Sequence, residues 1–165
     1  MSKQWTLVLC IVAGLVLGIF ALVKFGPGVE AVSAGTRAPD FKVVDLRSGD
    51  SVRLRSAYKG HVTLINIWAT WCPPCVKEMP ELDRFQRAHA AAGWQVVGLA
   101  VDGPTPVREF LARVPVGFPI GLAGFEGTEL SRRLGNTQGA LPFTVVFGKD
   151  GRIRHRKLGE TSFDE

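Results

Sequence analysis

The most constraining feature of the sequence is an apolar, β-branched run that ends in two closely spaced cysteines. Residues 61–69, HVTLINIWA, have the composition of a strand buried on both faces of a parallel sheet. The following TWCPPCVKEMP places only Pro73 and Pro74 between Cys72 and Cys75. Because proline suits the first position of a helix, the sequence predicts a strand, a turn and then a helix that begins just after Cys72.

Strand and helix patterns alternate along the rest of the domain. The helix after Cys72 is predicted to end at Gly93, and residues 94–102 have the pattern of a second central strand. Further elements are a hairpin from FKVVDL and SVRLR, helices at 105–114 and 126–135 with a short strand in GFPIGLA between them, and a hairpin from 143–147 and 152–157. The pattern predicts an α/β domain with a mixed sheet.

The position of the cysteines favours redox chemistry. Cys72 lies at the predicted helix N-terminus, where unpaired backbone N–H groups and the helix dipole stabilise a thiolate. Cys75 lies one turn further on the same side, so the two sulfurs can form a disulfide. A structural disulfide across so short a loop would remove little entropy from the unfolded chain. A structural zinc site would need a second pair of ligands, which the sequence does not offer.

An uncharged apolar run at residues 5–23 precedes the domain, between Lys3 and Lys24. As a helix it would be about 28 Å long, close to the thickness of the bilayer hydrocarbon. We predict an uncleaved transmembrane anchor; a signal peptide cleaved after VSA, before Gly35, is the alternative. An anchor with its N-terminus in the cytoplasm would place the domain outside, where disulfides persist.

The predicted organisation has three parts. Residues 1–24 form the anchor, residues 25–38 a flexible linker rich in small residues, and residues 39–165 the folded domain. The net charge of +5 includes no cluster of basic residues interleaved with aromatic residues, and RIRHRK alternates like one face of a strand. We therefore expect no nucleic-acid partner.

WATWCPPCVKEMPEL, with the later GALPFTVVFGKDGRI, resembles the membrane-anchored thioredoxin-like proteins of the TlpA/ResA group, relatives of the cytochrome c maturation thioredoxins. The resemblance implies a thioredoxin-like fold with an N-terminal hairpin and a central insertion. It implies a single-pass protein of the bacterial inner membrane whose domain faces the periplasm. It also implies that Cys72 is the nucleophile, that Cys75 is the resolving thiol, and that their redox-active disulfide serves in place of any cofactor.

The resemblance extends to supporting residues. Trp71 would lie beside the cysteines, and Pro142 would be a cis-proline against the active site. The backbone of Leu141 would pair with an extended substrate chain, and Pro80 would be the helix-kinking proline. Glu78 resembles the proton-handling acid of the ResA branch; the alternative is a carboxylate placed favourably in the first turns of a helix.

Three features depart from the family pattern. Asn66 occupies the position of a buried aspartate in thioredoxins, and an asparagine cannot titrate. Phe143 follows Pro142 where threonine is usual, which could reshape the substrate groove. The chain ends at GETSFDE, where Ser162 and Glu165 have the spacing of a capping box. We expect a truncated C-terminal helix that begins there.

The expected function is a thiol–disulfide oxidoreductase that reduces oxidised extracytoplasmic proteins, for example in cytochrome c or copper-site assembly. A membrane electron donor of the DsbD/CcdA type would recycle it. The alternative is an extracytoplasmic copper-binding chaperone that uses the same cysteines, with Met79 as a further soft ligand. The helical register of Met79 instead favours a core position. A peroxidase is disfavoured, because Ile65 and Ala69 replace the proline and the Thr/Ser of peroxiredoxins.

Overall fold

The computed structural model of the protein describes residues 35–37 and 40–162. In chain order, the elements are β1 (Lys42–Asp45), β2 (Ser51–Arg53), α1 (Leu54–Ala57), β3 (Val62–Trp68), α2 (Pro73–His89), β4 (Trp94–Ala100), α3 (Pro104–Arg113), β5 (Ile120–Leu122), α4 (Glu126–Arg133), β6 (Phe143–Phe147) and β7 (Ile153–Leu158). A 3-10 turn, Ala90–Ala92, follows α2.

The strands of the described residues form one mixed sheet in the order β2-β1-β5-β4-β3-β6-β7. Parallel pairs join β3 to β4 and β4 to β5. The β1–β2 hairpin and the β6–β7 hairpin are antiparallel, and they attach to β5 and β3 respectively. The mixed α/β sheet with two antiparallel hairpins is therefore confirmed, and the segment between β4 and β6 contains the helix, short strand and helix that the sequence predicts there.

The central strand β3 is apolar along its length because both of its faces are covered. Successive side chains of a strand point to opposite faces. On one face, Trp68 packs on Phe110 of α3, with the ring centroids 5.2 Å apart. On the other face, Ile67 is fully buried. The end of β3 that leads to Cys72 is therefore held within the core.

Two boundaries show how side-chain burial and backbone conformation shape the elements. SVRLR predicts one strand, but β2 ends at Arg53 and Leu54 begins the one-turn helix α1. The Leu54 side chain is buried in the core, and its N–H donates to the Phe41 carbonyl at 3.2 Å, so the chain turns inward there. Gly93 closes the turn after α2 with a φ of 85°, a conformation that favours glycine.

The predicted anchor and most of the predicted linker lie outside the described residues. Within residues 35–37 and 40–162, no helix has the length and apolar character needed to cross a membrane. The predicted C-terminal helix also lies largely outside this part, since the described residues end at Ser162. These remain predictions.

Gly98 on β4 provides a test of the central packing. A Cβ atom there would lie 2.7 Å from Ile120 Cδ1 and 3.1 Å from Trp68 Nε1. Gly98→Ala should therefore lower the free energy of unfolding by about 1–3 kcal/mol, measured by urea denaturation. In an Ile120→Val background, which lacks the nearest atom, the same substitution should be less destabilising. Equal effects in the two backgrounds would contradict this packing.

Candidate active site

A disulfide joins Cys72 and Cys75 across the first turn of α2, with their Cα atoms 5.2 Å apart. Cys72 is the N-cap residue, and Pro73 and Pro74 occupy the first two helical positions. The backbone N–H of Cys75 donates to Cys72 Sγ at 3.3 Å. An N–H directed at the sulfur and the positive end of the helix dipole both favour a thiolate on Cys72 once the disulfide is reduced.

The two cysteines differ in their access to solvent. Cys75 is fully buried, Cys72 is 5% exposed, and the neighbouring Trp71 is 67% exposed. An approaching disulfide would therefore meet Cys72 before Cys75. The structure places Trp71, both cysteines and the two prolines at one strand-to-helix junction, where the sequence predicts them.

Asp102 holds the loop that leads from β3 to Cys72. Its Oδ2 accepts hydrogen bonds from the Thr70 N–H at 2.8 Å and from the Thr70 hydroxyl at 2.7 Å. This contact was not predicted from the sequence. Asp102 follows β4, the parallel partner of β3, and residues beyond the C-terminal ends of parallel strands lie close together, so its position could have indicated the contact.

Glu78 is a fully buried carboxyl group one helical turn beyond Cys75. Its Oε1 accepts from Asn66 Nδ2 at 2.7 Å, and its Oε2 accepts from the Thr161 N–H at 2.7 Å. Burial raises the pKa of Glu78 to about 7, because the two hydrogen bonds only partly offset the loss of hydration. Positions three apart share a helix face, so an acid that titrates near neutrality lies one turn from the buried thiol.

Asn66, the residue that departs from the thioredoxin pattern, connects this acid to the central sheet. Asn66 is fully buried on β3, and its Nδ2 also donates to Thr144 Oγ1 at 3.2 Å. The Thr144 hydroxyl lies 3.5 Å from that of Thr161. Neither threonine was predicted from the sequence, because Thr161 and Glu78 are 83 positions apart and no local motif marks such a contact.

The segment before β6 approaches the junction from the neighbouring strand. The Leu141–Pro142 peptide bond is cis, as the resemblance implies. Pro142 is buried, and its carbonyl accepts from the Gly159 N–H at 2.9 Å. Phe143 does not reshape a surface groove in this structure, because its side chain is 3% exposed and belongs to the core.

A small cavity of about 150 Å³ opens beside the cysteine pair. Its walls include Trp71, which adjoins Cys72, and Leu141, which adjoins Pro142. Phe125, the residue immediately before α4, also lines it and is 96% exposed. The cavity therefore lies where a molecule bound at Cys72 would extend.

Met79 lies in the core, as its helical register predicts. It is fully buried and belongs to the same apolar cluster as Leu82. Among the residues that the structure describes, no three His, Cys, Asp or Glu side chains are grouped so that they could hold a metal ion.

Sequence comparison places the chain among known proteins. Residues 33–165 match the Redoxin family. The thiol-disulfide oxidoreductase ResA of a Bacillus cereus strain is 30% identical over 162 residues, which cover 96% of this chain and 87% of the relative. The thiol:disulfide interchange protein DsbE of Vibrio cholerae is 29% identical in an alignment 170 residues long, which includes 98% of this chain and 89% of the relative.

The fold leads to the same class. A crystal structure assigned to a DsbE thiol:disulfide interchange protein from Chlorobium tepidum superposes with a TM-score of 0.72 at 28% identity, covering 81% of this chain and 90% of the other. The fold and the cysteine pair define a thioredoxin-like thiol–disulfide oxidoreductase. The chain belongs to the Redoxin family, and its relatives include the ResA and DsbE oxidoreductases.

Glu78 should make the stability of the oxidised protein depend on pH. Its folded pKa of about 7 exceeds the ordinary value of 4.5, so protonation favours the folded state. This stabilisation is complete below pH 4.5 and is lost as the pH rises through 7. The unfolding free energy of wild type minus that of Glu78→Gln should decrease by on the order of 3 kcal/mol as the pH rises across that range.

Urea denaturation of both oxidised proteins at a series of pH values measures this difference. Subtracting the variant removes the contribution of the other titrating groups, which the two proteins share. A difference that stays constant across the range would contradict a buried carboxyl group that titrates near neutrality.

Proposed function

We propose that the protein reduces disulfides of extracytoplasmic proteins, with Cys72 as the attacking thiol and Cys75 as the resolving thiol. The observation that carries this assignment is the Cys75 N–H, which donates to Cys72 Sγ at the helix N-terminus while Cys75 itself is fully buried. Thiol–disulfide exchange needs a thiolate that a substrate can reach and a second thiol that it cannot. Cys72 meets the first requirement and Cys75 meets the second.

The reaction transfers two electrons from the reduced cysteine pair to the substrate. The Cys72 thiolate attacks one sulfur of the substrate disulfide, whose S–S bond breaks as a mixed disulfide forms, and the departing sulfur takes up a proton. Cys75 then loses its proton and attacks Cys72 Sγ. The mixed disulfide breaks, the second substrate sulfur leaves and is protonated, and the Cys72–Cys75 disulfide is formed.

Glu78 is suited to receive the proton that Cys75 must lose. A group whose pKa lies near the working pH can both accept and return a proton. A neutral carboxyl also needs an acceptor for its own O–H. Asn66 Oδ1 is buried and has no hydrogen-bond partner in the part of the chain that the structure describes. A half-turn of the Asn66 amide would exchange Nδ2 for Oδ1 opposite Glu78, so one side chain can serve both protonation states.

A continuing cycle requires another dithiol to reduce the Cys72–Cys75 disulfide. The donor in this proposal is a membrane dithiol protein of the DsbD/CcdA type. The support is the apolar run at residues 5–23, which would anchor the chain in the bacterial inner membrane with its domain in the periplasm. Oxidised cysteines of proteins in cytochrome c or copper-site assembly are the corresponding substrates.

Single cysteine variants test the two roles. Reduced Cys75→Ala, mixed with a disulfide-bonded protein such as insulin, should accumulate a mixed disulfide at Cys72, because the resolving thiol is missing. Cys72→Ala should form almost none, since Cys75 is buried. Both variants carry Cys10→Ser to remove the third cysteine, and mass spectrometry under non-reducing conditions identifies the products. Accumulation at Cys75 in the Cys72→Ala protein would reverse the assignment.

Thiol labelling in cells tests location and direction together. In spheroplasts that express the Cys10→Ser protein, a membrane-impermeant maleimide should label Cys72, because a reductase is kept reduced and faces outward. A triple variant with Cys72→Ser and Cys75→Ser added is the control and should stay unlabelled. Labelling only after permeabilisation would contradict the location. Labelling only after treatment with dithiothreitol would contradict the direction.

A further inference from the structure

Two strongly exposed aromatic side chains meet at the cavity beside the cysteine pair. Among the described residues, the large apolar side chains that are most exposed are Val44, Trp71, Phe125 and Leu158. Trp71 and Phe125 are the most exposed of these, and both line the cavity of about 150 Å³. Neither side chain contributes much to the core, so packing within the domain does not account for their position. Exposed apolar groups gathered at one concave site indicate a binding surface.

Two of the polar side chains that line this cavity are already hydrogen-bonded within the protein. Asp102 Oδ2 accepts two hydrogen bonds from Thr70. The Ser131 hydroxyl accepts from Asn136 Nδ2 at 2.8 Å. The remaining walls include apolar side chains, among them Ile67 and Leu141. An apolar guest would therefore lose less hydration than a polar one and would leave these hydrogen bonds in place.

We propose that this cavity binds an apolar side chain that adjoins the cysteine under attack in a protein substrate, and that Phe125 determines this specificity. The volume suits one such side chain, because a cavity of about 150 Å³ is large enough to hold benzene in an engineered protein. The position also fits. Trp71 directly precedes Cys72 and Leu141 directly precedes Pro142, so a substrate sulfur at Cys72 leaves its neighbouring residue at the cavity mouth.

The occupant is thus an oxidised protein segment with leucine or phenylalanine next to its disulfide-bonded cysteine. Trp71 and Leu141, the residues that precede Cys72 and Pro142, line the cavity, and this position favours a substrate segment over a partner that binds elsewhere on the domain. The inference rests on the proposed function, because it takes the substrate to be a protein disulfide.

The test compares two synthetic disulfide peptides that differ only in the residue next to the cysteine, leucine in one and serine in the other. We expect the reduced wild-type protein to reduce the leucine peptide, in a single turnover, with a second-order rate constant about tenfold higher. Phe125→Ser should bring the ratio close to one, and Phe125→Leu should keep most of the preference. Since Phe125 is 96% exposed, neither substitution removes a core contact.

Val44→Ser is the matched control. Val44 is also an exposed apolar residue, at 42%, but it lies on β1, which β5 and β4 separate from β3. This variant should keep the wild-type ratio. The proposal is overturned if wild type reduces both peptides equally well, or if Phe125→Ser retains the leucine preference. Loss of a dimer in Phe125→Ser with an unchanged ratio, seen by sedimentation, would assign Phe125 to self-association and also overturn it.

Failure of the proposed function would give a different result. A reduced wild-type protein that left both peptides oxidised would contradict disulfide reduction itself, and with it the present inference. Equal reduction of the two peptides would leave the reductase assignment intact and remove only the role of Phe125.

Discussion

One buried carboxyl group connects the parts of the chain that meet at the redox site. Glu78 on α2 accepts a hydrogen bond from Asn66 on the central strand and another from Thr161, which follows β7. A carboxyl group without such partners would be expensive to bury. The two donors keep it in the core and thereby fix the first turns of α2 against the sheet. Together with the bond from Thr70 to Asp102, this contact positions Cys72 and Cys75 relative to β3.

In this arrangement the buried acid lies on a different element of the fold than in thioredoxins, but it lies at the same site. A thioredoxin carries its buried acid on the central strand, whereas this chain has Asn66 there and Glu78 on the facing helix. The amide and the carboxyl are 2.7 Å apart, so the ionisable group still lies between strand and helix. The surface ion pair between Lys77 and Glu160 adds little to this attachment, because both side chains are substantially exposed.

Local signals in the sequence were sufficient for the elements that carry the cysteines. The apolar run of β3 and the prolines at the start of α2 each act within a few residues, and the structure has both as predicted. Gly93 closes the 3-10 turn that follows α2, whereas the helix itself ends at His89. The short helix at Leu54 was not foreseen, because its cause is burial against a distant part of the chain. The contact of Thr161 with Glu78 was not foreseen because 83 positions separate the two residues. The contact of Asp102 with Thr70 was also not foreseen, although the position of Asp102 after β4 could have indicated it.

The surface of the site was the hardest part to predict. Phe125 reads as an ordinary apolar residue before a helix, and only the three-dimensional structure shows that its side chain is exposed next to Trp71. An apolar residue in the sequence can be buried in the core or exposed at a binding cavity, and the sequence pattern is the same in both cases. The cysteine pair could thus be recognised from the sequence, whereas Phe125, the residue proposed to determine substrate specificity, could not.

The bond from Thr161 to Glu78 has a consequence for biosynthesis. During synthesis, the cysteine pair and Glu78 are made long before Thr161, so α2 can form on β3 while the carboxyl group still lacks one of its two donors. The two thiols of such a nascent chain would be present before the environment that determines the pKa of Glu78 is complete. Proton transfer at the cysteines would therefore acquire its full environment only after β7 and Thr161 have been made and have joined the sheet.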